Sequence, residues 1–129
     1  MKIYPKIGVD TIKFGMSQKQ VQAELGAPIG KETTAEEDIW EYANGVELAF
    51  EDDRLSSITL SDEQQLLNAK PIVGISEHVL QEQFPAFSLD EDYGSDGKSY
   101  YDEQLEIMAW VFDGKVFNVV VFPTYEQDE

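Results

Sequence analysis

The chain has 129 residues, of which 42% are hydrophobic and 12% aromatic, and this content is typical of a folded domain rather than a disordered acidic chain. Its formal net charge of −17 excludes nucleic acid and anionic membranes as natural partners, because both bind through lysine and arginine. The charge favours a partner protein with a basic surface, although the alternative is that it only keeps the protein soluble.

The N-terminal segment, residues 1–6, contains no apolar stretch of signal-peptide length. No later run of apolar residues is long enough for a membrane span. We therefore expect a cytoplasmic protein with one domain over residues 1–129.

Two segments with the same pattern predict two helices. Residues 14–25 align with residues 73–84, which sets Ser17 opposite Ser76. Each serine is a candidate N-cap, since its hydroxyl can accept from the first backbone amides of a helix. Apolar side chains follow in a narrow stripe, and Pro85 ends the second helix.

Each predicted helix is followed by three strand-like runs. They are residues 39–43, 46–51 and 55–60 in the first half, and residues 100–103, 105–112 and 116–122 in the second. The turns Asn44-Gly45 and Asp113-Gly114 are typical of hairpins. In the last hairpins, Leu55, Ile58 and Leu60 align with Val116, Val119 and Val121.

These elements predict an α+β fold of two tandem diverged repeats. Each repeat is a helix followed by a three-stranded antiparallel meander, and the strands form an antiparallel sheet with the helices on one face. Repeat one spans about residues 1–64 and repeat two about residues 65–129. The linker, residues 61–70, is expected to hold a helical turn at 62–67, and the tail, residues 126–129, to be frayed.

The first repeat resembles a known tandem unit. The residues that carry the resemblance are Ile12-Lys13-Phe14-Gly15-Met16-Ser17, Val21, Leu25-Gly26-Ala27-Pro28 and the run 46–55. They are similar to the "GMS…V…LG.P" unit of the small lipoprotein of the outer-membrane barrel-assembly machinery and of beta-lactamase-inhibitory proteins. Similar tandem units occur among immunity proteins that neutralise bacterial toxins. The resemblance implies a non-enzymatic protein that binds another protein.

Alternation along the second-half strands predicts a sheet with two apolar faces. Residues 105, 107, 109 and 111 would face the helices, together with Phe117, Val119 and Val121. The opposite face would receive Met108, Trp110 and Phe112, together with Val116, Val120 and Phe122.

We expect the opposite face to be the partner-binding surface, because aromatic side chains are enriched in interface cores. The remaining residues assigned to this surface are the flanking Trp40, Tyr42, Tyr100 and Tyr101, and the acidic rim of Asp102, Glu103 and Glu106. The alternative is that these residues are core, covered by the linker, the tail or a second copy in a homodimer.

Catalytic and cofactor motifs are absent from the sequence. The chain has no cysteine, so disulfides, thiolate zinc sites and cysteine nucleophiles are excluded. The single histidine, His78, falls on the polar side of its helix, and no nucleophile elbow or phosphate loop is present. We expect no enzyme activity and no cofactor.

One acidic segment has the spacing of a calcium loop. Asp92, Asp96 and Glu103 occupy the first, fifth and twelfth positions of such a loop, but Gly94 at the third position lacks a side-chain oxygen. We expect no metal site, and the alternative is a calcium or small-molecule site in residues 90–103.

The leading hypothesis for function is an inhibitor or immunity-type protein that covers a basic partner with its sheet face. The alternatives are a self-associating structural module that uses the same face, and the calcium or small-molecule binder.

Overall fold

The computed structural model describes residues 1–123. These residues contain the α-helices α1 (Gln18–Leu25) and α2 (Glu77–Gln83), and one 3-10 turn at Gly94–Asp96. Neither α-helix is long or apolar enough to cross a membrane. The predicted frayed tail, residues 126–129, lies outside the described residues.

The described residues form thirteen strands. In chain order they are β1 (Lys2–Tyr4), β2 (Gly8–Val9), β3 (Ile12–Lys13), β4 (Gly30–Thr33), β5 (Asp38–Tyr42), β6 (Val46–Glu51), β7 (Arg54–Leu60), β8 (Leu66–Leu67), β9 (Lys70–Pro71), β10 (Ser88–Asp92), β11 (Lys98–Asp102), β12 (Ile107–Phe112) and β13 (Lys115–Val121).

Eight of the strands form one antiparallel sheet in the order β10-β11-β12-β13-β7-β6-β5-β4. The two halves of the chain meet where β13 pairs with β7, with Val119 opposite Leu60 and Val121 opposite Ile58. The remaining strands form a small sheet in the order β3-β2-β1-β8-β9, in which β1 and β8 are parallel.

The α+β prediction of two helix-and-three-strand repeats is wrong. The described residues are mostly β, with 48% of them in strands or isolated bridges and 15% in helices, the 3-10 turn included. Four antiparallel strands follow each helix, and the small sheet was not predicted. The missed strands β4 and β10 are polar, and those of the small sheet have two or three residues, so neither group shows the apolar alternation that identifies a strand.

The helix caps and the hairpin turns were predicted correctly. The hydroxyl oxygen of Ser17 accepts from the amide of Gln20, and that of Ser76 accepts from the amide of Val79, both at 3.1 Å. Asn44 and Gly45 both have a φ of 69°, and Asp113 and Gly114 have positive φ of 55° and 77°. Two successive positive φ values are the signature of the tight turn that matches the twist of a hairpin.

The linker differs from its prediction. Residues 62–67 contain no helical turn, and Leu66–Leu67 is instead strand β8. The amide of Leu66 donates to the carbonyl oxygen of Met1 at 2.9 Å, and the Leu67 side chain is buried. Burial of this leucine against the small sheet outweighs the helical propensity of a polar segment.

The core lies on one face of the large sheet, which we call the inner face. The buried helix residues Val21 and Leu80 join a single apolar cluster with Leu48, Ile58 and Val119 of the sheet. The opposite side is called the outer face. Because successive strand residues point to opposite faces, the register fixes which side chains belong to each.

The two edges of the large sheet are polar. The five residues of β10 are all exposed, and three of them are acidic, Asp90, Glu91 and Asp92. At the other edge, three of the four residues of β4 are exposed.

Candidate functional site

The outer face of the second half carries a patch of apolar side chains. Met108 is opposite Tyr101 and Val120, and Trp110 is opposite Ser99 and Asn118, so all six belong to the outer face. Met108, Trp110 and Val120 are half-buried, while Phe112 and Phe117 are 54% and 60% exposed. We call Tyr93, Met108, Trp110, Phe112, Phe117 and Val120 the aromatic patch.

The rings of the aromatic patch are packed in pairs. The ring centroids of Phe112 and Phe117 lie 6.5 Å apart with the planes at 67°, and those of Tyr93 and Trp110 lie 5.9 Å apart with the planes at 25°. Edge-to-face and offset stacked pairs of this kind are favourable arrangements for aromatic rings. The patch is therefore an ordered surface.

A β-bulge places Phe117 on the outer face. Trp110 pairs with Asn118 but Val111 pairs with Val116, so Phe117 is an extra residue without a partner in β12. The prediction that Phe117 faces inward and Val116 outward is therefore wrong: Val116 is buried in the core. The inward direction predicted for Val119 and Val121 is confirmed.

The outer face of the first half is acidic. Glu41 lies directly opposite Glu47 on neighbouring strands, and Glu32 lies opposite Ile39 on the next pair. Partial burial raises the pKa of Glu47, and the negative charges of Glu41, Glu32 and Glu37 raise it further. We call these four glutamates the acidic patch, which the sequence reasoning did not identify.

Three aromatic residues assigned to the binding surface lie on the inner face instead. Trp40 is 4% exposed, packs edge-to-face against Phe50 and has the Lys31 ammonium 4.9 Å from its ring centre. Tyr42 is half-buried and donates its hydroxyl proton to the carbonyl oxygen of Gly26 at 2.8 Å. Tyr100 is also 4% exposed. They pair with Leu48, Val46 and Ala109, which fixes them on the core side.

The predicted acidic rim is only partly present. Asp102 is 4% exposed and lies on the inner face, where its Oδ1 accepts from the backbone amides of Gln104 and Leu105 at 2.9 and 3.1 Å. This carboxylate stabilises the turn between β11 and β12. Glu103 is exposed in that turn. Glu106 accepts from the hydroxyl of Tyr101, which belongs to the outer face as predicted.

The structure does not bring together Asp92, Asp96 and Glu103, the residues of the alternative calcium site. Strand β11 lies between Asp96 and Glu103 in the chain. Its five extended residues span about 16 Å, so Asp96 and Glu103 lie at opposite ends of the strand. Asp92 pairs with Lys98 across the hairpin. Within residues 1–123 no three acidic or histidine side chains are arranged to hold a metal ion.

A polar cluster connects α2 to the inner face of β11. The Glu77 carboxylate accepts from the hydroxyl of Tyr100 and from the Lys98 ammonium, the latter at 3.0 Å. These contacts, led by the Tyr100 hydrogen bond, lower the pKa of Glu77, and the Glu77 carboxylate in turn raises the pKa of Lys98. Gln81 donates to the Tyr100 hydroxyl at 3.1 Å. Each of these side chains has a partner within the cluster, so the role of the cluster is to hold α2 against β11.

An apolar cavity lies between the small sheet and the segment that joins α2 to β10. Its volume is about 670 Å³, and its lining includes Ile3, Leu67, Phe84, Phe87 and Leu105. Among its other lining residues is Asp102, whose Oδ1 already serves the neighbouring turn. The cavity therefore offers mainly apolar contacts.

Comparison with known proteins gives structural neighbours and no sequence match. No protein-family model matches the chain, and no curated protein matches it. An extracellular protein containing an SCP domain from Bacillus anthracis has a TM-score of 0.57 at 14% identity; the match covers 95% of this chain and 50% of that one. This chain thus spans half the length of that neighbour.

Two further solved structures share the fold. The DUF4309 family protein YjgB from Bacillus subtilis has a TM-score of 0.56 at 16% identity, over 84% of this chain and 78% of that one. A cysteine-rich secretory protein from Staphylococcus aureus has a TM-score of 0.54 at 12% identity, over 85% and 44%. At these identities the likeness concerns the fold alone, and the resemblance to inhibitory and immunity proteins stays a prediction.

Proposed function

We propose that this protein binds a partner protein with a basic surface through the outer face of its large sheet, as an inhibitor or immunity-type protein does. The observation that carries the proposal is the division of this face into the aromatic patch and the acidic patch. Aromatic centres supply most of the affinity of protein interfaces, and charged margins select the partner and speed its approach.

The dimensions of the face support this proposal. Eight strands spaced by about 4.8 Å give a width of about 34 Å, and strands of four to seven residues are on average roughly 20 Å long. The product, about 700 Å², is close to the roughly 800 Å² that one partner contributes to a standard interface.

Charge complementarity favours a basic partner over a second copy of the chain. Each copy carries a net charge of −17, so two copies repel each other. A basic surface would offset the repulsion among the glutamates of the acidic patch, which adds to partial burial in raising the pKa of Glu47. Self-association through the aromatic patch is the competing outcome, which sedimentation of the purified protein detects as a stable dimer.

Affinity capture with matched variants tests the proposal. The immobilised protein is exposed to a lysate at low salt, and the captured proteins are identified and purified. Phe117→Ala should fail to capture the partner. The control is Ile7→Ala, which removes a similarly exposed side chain from the turn before β2 and should still capture it. Equal capture by both variants would overturn the assignment of the outer face.

The rate of association tests the electrostatic part. The acidic patch should make association of the purified partner slow down as salt is added, because salt screens long-range attraction. Glu41→Gln combined with Glu47→Gln should reduce this dependence. A salt-independent rate would show that charge does not guide this encounter.

A second candidate function is the binding of a small apolar molecule. The observation that favours it is the cavity of about 670 Å³, which is within the range of ligand pockets. Nile red should fluoresce on binding there, and Leu105→Trp, which narrows the cavity, should reduce the signal while Phe117→Ala leaves it unchanged. The reverse pattern would place the dye on the aromatic patch.

The location of the protein is also a proposal. The sequence favours the cytoplasm, whereas two of the neighbouring structures are described as an extracellular and a secretory protein. Fractionation of cells that express the full-length protein distinguishes the two.

A further inference from the structure

The aromatic patch contains a notch beside Trp110. The notch has a volume of about 390 Å³ and is lined by Asp96, Trp110, Val111, Phe112, Phe117 and Asn118. Three of these residues present aromatic rings and one presents a carboxylate. The Asn118 side-chain oxygen is buried and has no hydrogen-bond partner among residues 1–123.

These groups share one preference. The faces of aromatic rings attract cations, and indole does so most strongly. The Asp96 carboxylate attracts the same charge, and the Asn118 oxygen lacks the hydrogen-bond donor that a buried acceptor requires. A cation that carries several N–H groups satisfies all of them.

The loop that carries Asp96 is held close to the notch. The amide of Tyr93 donates to the carbonyl oxygen of Gly97 at 2.8 Å, and the Asp92 carboxylate accepts from the amide of Gly94 at 2.9 Å. A Cβ at Gly97 would lie 2.6 Å from the carbonyl oxygen of Val111, so only glycine permits this approach. Tyr93, from the same loop, stacks on Trp110. The notch is therefore built before a ligand arrives.

We propose that this notch receives the guanidinium group of an arginine side chain from the basic partner. Guanidinium is planar and weakly hydrated, so it stacks on aromatic rings, and its N–H donors suit a notch that is lined by the Asp96 carboxylate and the Asn118 amide. Lysine has a compact, strongly hydrated ammonium group that stacks less well. The inference rests on the proposed function and names the chemical group recognised by the outer face.

Titration with three short peptides tests the assignment. The probes are acetyl-Gly-Arg-Gly-amide, the same peptide with citrulline, which is neutral and similar in shape, and the same peptide with lysine. The NMR signal of the Trp110 indole N–H is followed, and the buried Trp40 indole serves as an internal control. The arginine peptide should shift the Trp110 signal at millimolar concentration and bind more tightly than the other two. Equal binding by citrulline or lysine would overturn the assignment.

Variants test the polar groups of the notch. Asp96→Asn should weaken the binding of the arginine peptide about fivefold, as expected for the loss of one exposed charge pair of about 1 kcal/mol. The control is Asp52→Asn, which removes the same charge from the distant β6–β7 turn and should leave the binding unchanged. Asn118→Val should weaken the binding of the arginine peptide, and its free energy of unfolding should be at least as large as that of the unmodified protein. An Asp96→Asn variant that binds the arginine peptide normally would contradict the proposal.

The two proposals can fail separately. If the arginine peptide does not bind but the captured partner still depends on Phe117, the notch is refuted and the binding face remains. If the partner is captured equally by Phe117→Ala and Ile7→Ala, the face itself is refuted.

Discussion

Phe117 occupies in β13 the bulge position that Ser56 occupies in β7. Ala49 pairs with Ser57 and Phe50 with Leu55, which leaves Ser56 as the extra residue, just as Phe117 is the extra residue opposite β12. Ser56 is half-buried and donates its hydroxyl proton to the carbonyl oxygen of Ala49 at 3.1 Å, whereas Phe117 points to solvent. The same backbone feature serves the fold in one strand and exposes a ring in the other.

Phe117→Ala should therefore leave the fold intact. Because the ring is 60% exposed, we expect the free energy of unfolding to change by no more than about 0.5 kcal/mol. Phe87→Ala, which empties a buried position, should cost about 3 kcal/mol. Urea unfolding measures both, and a large loss for Phe117→Ala would mean that the ring has a structural role.

Glu77→Gln should destabilise the protein at neutral pH by about 1 kcal/mol, because it weakens the hydrogen bonds to Tyr100 and Lys98. The pKa of Glu77 is lowered in the fold, so its stabilising effect is complete above the ordinary value of 4.5 and is lost as the pH falls through the folded value. The difference in unfolding free energy from the unmodified protein should shrink below pH 4.5. Glu82→Gln, in an exposed pair with His78, is the control and should show no comparable change.

Glu47→Gln should have the opposite effect. The pKa of Glu47 is raised in the fold, so the folded state disfavours the charged carboxylate. The resulting loss of unfolding free energy applies above the ordinary pKa of 4.5 and disappears as the pH falls through that value. We expect a gain of about 0.5 kcal/mol at neutral pH that is smaller in high salt. Thermal unfolding checks this, with the exposed Glu24→Gln on α1 as control. A loss of stability would show that the Glu47 carboxylate makes a favourable contact.

Gln65→Leu should stabilise the protein by about 1 kcal/mol. Gln65 is 1% exposed and its Oε1 finds no hydrogen-bond partner among residues 1–123. Leucine has a similar volume and removes the desolvation penalty of the amide. Denaturant midpoints compare it with Gln64→Leu at the exposed neighbouring position, which should change little. A midpoint that falls for Gln65→Leu would indicate that the amide is needed where it lies.

The elements with strong local signals were predictable from the sequence. Ser17 and Ser76 cap the helices as predicted, and Asn44-Gly45 forms the expected hairpin turn, because these residue types favour those backbone conformations without help from the rest of the fold. Strands β4 and β10 were missed, since polar edge strands are held by hydrogen bonds to a neighbouring strand and show no apolar pattern.

The composition of the outer face was predicted in part. Met108 and Trp110 were assigned to the outer face by alternation, and the register agrees. Strict alternation fails at Phe117, where the bulge adds one residue. The alignment of Leu55 with Val116 already conflicted with alternation at that point, and such a conflict is the sequence signal of a bulge. The acidic patch depends on the register of the β4–β5 and β5–β6 hairpins, and the polar strand β4 shows no apolar pattern from which that register could be predicted.

The acidic edge strand β10 has a consequence for solubility. An exposed edge offers backbone groups that can pair with another molecule, and charged side chains oppose this because like charges repel. Asp90, Glu91 and Asp92 carry that charge here. The isoelectric point of the chain is about 4.1, so acidification towards that value removes the overall repulsion between molecules. Mild acid should therefore allow β10 to extend the sheet from one molecule to the next, and fibrils should form more readily in mild acid than at neutral pH.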